Sequence, residues 1–76
     1  MRSLIRDIIF DFSQTTFMDS SGIGLILGRV HQLEPVEGEV YLFGGSSMIR
    51  KMWEMSGVLQ YVTVLETVEK MKEVYE

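Results

Sequence analysis

The chain has 76 residues, 46% of them hydrophobic, which is enough for one small core and places a single folded domain over residues 1–76. The absence of cysteine excludes a disulfide framework, thiol catalysis and cysteine metal ligands, and a domain without such staples fits the reducing cytoplasm. A net charge of −4 argues against nucleic acid as the main partner, and no run approaches the roughly 20 apolar residues that span a bilayer. At the N-terminus, Asp7 and Asp11 interrupt what would have to be the apolar core of a signal peptide.

Leu4 to Phe12 is β-branched and aromatic, with a continuous apolar block from Ile8 to Phe10, the pattern of a strand covered on both faces. Ser13-Gln14-Thr15-Thr16 is polar and ends it. Phe17 and Met18 return the chain to the core ahead of Asp19-Ser20-Ser21-Gly22-Ile23-Gly24. From Ser20 to Leu33, the residues Ile23, Ile26, Leu27, Val30 and Leu33 recur at helical spacing and predict one buried helix face. Gly22, Gly24 and Gly28 each cost a helix about 1 kcal/mol relative to alanine. Close packing on a sheet, or close approach of a partner, is the expected compensation.

Pro35 stops this helix and Glu37-Gly38 makes a turn into a second strand, Glu39 to Phe43, closed by Gly44-Gly45. Ser46 or Ser47 then caps a helix whose inner face is Met48, Ile49, Met52 and Trp53 or Met55. Ser56-Gly57 ends it with a glycine stop. Tyr61 to Leu65 predicts a third strand. Glu66 to Tyr75 predicts a last helix with Val68, Met71 and Val74 or Tyr75 inward, and with Glu66 and Lys70 placed as an i,i+4 pair. The order βαβαβα implies an α/β fold with right-handed crossovers and a small, mainly parallel sheet flanked by helices. Two of three strands must lie at edges, which points to a homodimer or a permanent partner.

The strand-to-helix turn at Asp19 to Gly24 is the candidate site, because exposed N–H groups gather at helix starts on that edge of an α/β sheet. The glycines do not form a dinucleotide fingerprint. Gly22-x-Gly24-x-x-x-Gly28 is one residue too long for G-x-G-x-x-G, and the next strand ends Leu42-Phe43-Gly44 with no acid for a ribose. No phosphate-binding Gly-Lys-Ser or Gly-Lys-Thr occurs. A nucleophilic Ser20 or Ser21 would need a base, and the only histidine, His31, lies about three helical turns away. The expectation is therefore no catalytic residue, no metal site and no cofactor. Helix capping explains one polar residue here, worth about 1 kcal/mol, but Asp19, Ser20 and Ser21 offer three. Modification and binding remain.

At these residues the chain resembles the STAS domain, specifically the bacterial anti-sigma-factor antagonists. The strand Ile8 to Phe12, the turn Phe17 to Gly24, the helix through Leu27-Gly28-Arg29, Gly38 with Val40 to Phe43, and Ile49 to Val58 follow the family pattern in order. The resemblance implies a non-catalytic protein that binds an anti-sigma factor which is also a serine kinase. That partner phosphorylates the serine after the motif's aspartate, here Ser20, and the modified form lets go; a PP2C-type phosphatase resets the switch. Asp19, Ser21, Gly22, Ile23 and Gly24 would border the partner surface, together with the loop at Gly45 and Ser46. Relative to the family, the chain lacks the first strands and a helix, which makes 1–76 a truncated STAS domain. The alternative within the same family is a structural or sensory interaction module that acts by oligomerisation without phosphorylation.

Overall fold

The computed structural model describes residues 6–75. Strands β1 (Ile8–Asp11), β2 (Val40–Phe43) and β3 (Thr63–Leu65) alternate with helices α1 (Ser20–Leu33), α2 (Ser47–Ser56) and α3 (Val68–Tyr75). Short 3-10 turns at Glu34–Val36 and Val58–Gln60 follow α1 and α2. The strands form one parallel sheet in the order β1-β2-β3, with Phe10 opposite Leu42 and Leu42 opposite Val64.

That strand order decides how the helices are distributed. Right-handed crossovers between strands laid down in sequence put both α1 and α2 on one face. On that face Val40 and Leu42 are buried, flanked by the partly buried Ile8, Phe10 and Val64. Ile23, Ile26 and Leu33 of α1 pack on them, as do Ile49 and Trp53 of α2, with Met18 and Val58 closing the ends. Trp53 is 1% exposed; its ring lies 5.5 Å from that of Phe12, and its buried indole N–H has no hydrogen-bond partner among the described residues.

The opposite face carries Ile9, Tyr41 and Phe43, all half-buried, and Leu65, which is buried where α3 contacts β3. Burial, then the nearby Asp7 and Glu39 carboxylates, raise the Tyr41 pKa above its ordinary value.

The α/β class, the element order and the parallel sheet agree with the sequence reading, and several details differ. Strand β1 covers only Ile8–Asp11 of the expected Leu4 to Phe12; Leu4 and Ile5 lie outside the described residues. Its apolar residues are half-buried because, among the described residues, β1 is an edge strand with no helix over Ile9. Leu27 is 36% exposed, and Met48 and Met55 of α2 are 70% and 78% exposed, so none belongs to an inner face. The inward side of α2 is Ile49 and Trp53, supported by the half-buried Met52.

Strand β3 begins two residues later than expected, because Val58–Gln60 takes up a 3-10 turn after Gly57. In α3, Val68 is exposed while Met71 and Val74 are half-buried. Glu66 does not pair with Lys70. It accepts from Arg50 of α2 at 2.7 Å, and Lys70 lies 3.8 Å from Glu73. Among the described residues no helix is long and apolar enough to cross a membrane.

Candidate functional site

Chain direction sets where the site lies: each parallel strand hands over to a helix at the same edge of the sheet, and there the helix N-termini present unpaired N–H groups. After β1, Asp11 accepts from Ser13 N–H at 2.9 Å, and the hydroxyl and N–H of Ser13 hold the Asp11 carboxyl below its ordinary pKa. Met18 then dives into the core and Asp19, in extended conformation, starts α1. Its Oδ1 accepts from Ser21 N–H at 3.0 Å and Gly22 N–H at 3.4 Å, and its carbonyl accepts from Gly22 at 3.0 Å. Of the three candidates for the cap, Asp19 is the one used.

That assignment frees Ser20. It is the first residue of α1, exposed, and among the described residues no hydrogen bond engages its hydroxyl. Ser21 and Gly24 are also exposed. Gly22 is pressed on Met18: a Cβ there would lie 2.8 Å from Met18 Cγ. Gly24 and Gly28, in contrast, face open space, so packing on the sheet does not account for them. Ile23 turns its bulk into the core, 8% exposed, with one edge toward the groove described below.

The β2–α2 loop lies alongside. Gly44 and Gly45 have φ of 86° and 67°, a left-handed conformation that favours glycine. Space is as tight as geometry: a Cβ on Gly44 would stand 2.5 Å from Ser13 N, and one on Gly45 2.8 Å from Trp53 Cη2. The two loops at this edge of the sheet are therefore locked together through Ser13. Ser46 is exposed and caps α2, its Oγ accepting from Ile49 N–H at 3.2 Å. Of the site residues expected from sequence, Asp19 to Gly24 form one cluster; Gly45 and Ser46 sit at the start of α2, which forms the other wall of that cluster's groove.

That groove, of about 460 Å³, runs between the N-terminal turn of α1 and the outer side of α2. Ser20 and Ile23 line one wall, and Met48, Lys51, Met52 and Met55 the other. Its surface is apolar apart from the Ser20 and Ser56 hydroxyls and the Lys51 ammonium. Sequence reasoning missed Met48, Lys51 and Met55. The signal was present: the apolar stripe of α2 is wider than one buried face requires, and the excess was assigned to the core.

The geometry supports binding better than catalysis. His31 is about 16 Å from Ser20 along α1 at 1.5 Å per residue, and it faces Glu34 at 3.4 Å. Asp19 is committed to capping. An exposed hydroxyl at a helix start, with no base beside it, is suited to receive a group from outside, and a helix N-terminus tolerates an attached phosphate well.

Comparison with known proteins is consistent with this geometry. The sequence profile of the STAS domain matches residues 2–71. The anti-sigma F factor antagonist of Lysinibacillus sphaericus is 43% identical over 54 residues, covering 71% of this chain and 46% of that protein. The anti-sigma-B factor antagonist of Staphylococcus aureus (strain NCTC 8325 / PS 47) is 33% identical over 64 residues, covering 84% of this chain and 59% of that one. The solved structure of the anti-sigma factor antagonist SpoIIAA in its unphosphorylated form superposes with a TM-score of 0.77 at 37% identity, over 93% of this chain and 62% of that chain. The chain thus spans about half to three-fifths of the length of these relatives.

Proposed function

The chain belongs to the STAS domain family, and on that premise we propose that it is a non-catalytic anti-sigma factor antagonist of the cytoplasm, switched by phosphorylation at Ser20. Unmodified, it holds an anti-sigma factor that is also a serine kinase. In the switching step the γ-phosphoryl group of ATP passes to Ser20 Oγ: the Oγ–P bond forms, the bond to ADP breaks, and the hydroxyl proton goes to solvent. The phosphate adds roughly −1.5 to −2 charge beside Asp19, which is costly to bury in an interface and well tolerated at a free helix start. A PP2C-type phosphatase reverses it by hydrolysis.

The observation that carries this reading is the exposed Ser20 hydroxyl, left out of the cap that Asp19 completes. Two relatives named as antagonists and a solved one described by its unphosphorylated form support it. Incubation with an anti-sigma factor kinase and ATP is expected to label the wild type and not Ser20→Ala. Equal labelling of the two would overturn the assignment.

A second reading, an interaction module that acts by oligomerisation without phosphorylation, is favoured by the half-buried Ile9, Tyr41 and Phe43 on the sheet face away from α1 and α2. A monomer in sedimentation would dismiss it, because that reading requires a stable homodimer.

A further inference from the structure

We propose that the groove between α1 and α2 seats an apolar segment of the anti-sigma factor that carries an acidic residue, with Lys51 as the cation that meets it. The inference rests on the antagonist reading and adds the chemistry of the partner and of its release.

Three observations converge. The groove is of a size that takes apolar side chains, and its walls include Met48 and Met55, 70% and 78% exposed and covered by none of the described residues. Methionine is flexible and polarizable, and it suits a surface that must adapt to a partner. Charge then selects the occupant. On a chain of net charge −4, this lining contains one charged group, Lys51, and no carboxylate.

The neighbouring Arg50 is already engaged, 2.7 Å from Glu66 and 5.9 Å over the Trp53 ring. Lys51 has no ion pair among the described residues. A basic segment would be repelled, a wholly apolar one would strand the ammonium, and a segment with both features satisfies the groove.

Ser20 lines the same groove. The phosphate transferred to Ser20 would place a dianion where Lys51 can pair with it, taking the cation that the partner's carboxylate needs and repelling that carboxylate. Release then follows from competition for one ammonium, with no change of fold.

The test uses the whole chain and the anti-sigma F factor of Lysinibacillus sphaericus as probe, with affinity measured by titration calorimetry at low and high salt. Lys51→Glu is expected to weaken binding at least tenfold and to flatten its salt dependence. Met55→Ser is expected to weaken it severalfold with the salt dependence retained, and Lys72→Glu on α3 to leave it within about twofold.

The groove proposal is overturned if both groove variants bind like the wild type, if Lys72→Glu matches Lys51→Glu, or if the groove variants abolish self-association in place of partner binding. No binding by the wild type would remove the antagonist reading itself, and the groove proposal with it. In the phosphorylated chain, Lys51→Gln should raise the second pKa of the phosphate seen by phosphorus NMR; an unmoved titration would refute the competition.

Discussion

At Asp19 one carboxylate oxygen holds two N–H groups of the first helical turn, and this decides the role of its neighbour. A helix start leaves several N–H groups without intrahelical partners, so one polar residue must serve them. Because Asp19 does so, Ser20 contributes nothing to the cap, and among the described residues its hydroxyl has no hydrogen-bond partner. The two residues should therefore separate in a stability measurement. Asp19→Ala is expected to cost about 1 kcal/mol and Asp19→Ser only a fraction of that, whereas Ser20→Ala should stay within about 0.5 kcal/mol of wild type, all read from urea denaturation midpoints. A loss at Ser20 equal to that at Asp19 would mean that the serine is structural.

At the scale of the element, α1 combines a well-packed inner side with an outer side left bare at Gly24 and Gly28, one turn apart. Ile23, Ile26 and Leu33 are buried, yet Gly24 and Gly28 look into open space where a Cβ would meet nothing. Glycine in an exposed helix interior costs about 1 kcal/mol against alanine, through the entropy of the unfolded chain. Gly24→Ala and Gly28→Ala should each stabilise the protein by about that amount in thermal unfolding. If instead they weaken partner binding while stabilising the fold, the bare strip at Gly24 and Gly28 belongs to the interface. Gly22→Ala should gain less, because Met18 would have to shift to admit the new methyl group.

At the scale of the whole molecule, the strand order governs what is left uncovered. Three strands laid side by side in sequence bring α1 and α2 to one face, and α3 alone meets the other, beside β3. Ile9, Tyr41 and Phe43 stay half-buried, and among the described residues no strand lies beyond the outer edge of β1. If the chain acts through oligomerisation, this face and edge are where copies meet. Phe43→Ser should then convert a dimer to a monomer in sedimentation, and Ser20 should take up no label in either protein. A wild type that sediments as a cooperatively folding monomer would dismiss that reading.

The amino-acid order alone determined the alternation of strands and helices, the start of α1 at Ser20 and its end at Leu33, and the stop at Gly57. These follow from local causes: hydrophobic period, capping chemistry and the conformations open to glycine and proline. Tertiary structure decided three further matters. Competition for the same N–H groups chose Asp19 as the cap over Ser20 and Ser21. Among the described residues, strand order makes β1 an edge and crossover hand puts α1 and α2 on one face, so that its continuous apolar block is only half-buried. The wide apolar stripe of α2 was split, with Ile49 and Trp53 going inward and Met48 and Met55 outward beside Lys51 and Ser20. Periodicity records that a residue is apolar and on which side of its helix it lies; whether another element comes to cover it depends on chain topology, and among the described residues none covers the outer side of α2.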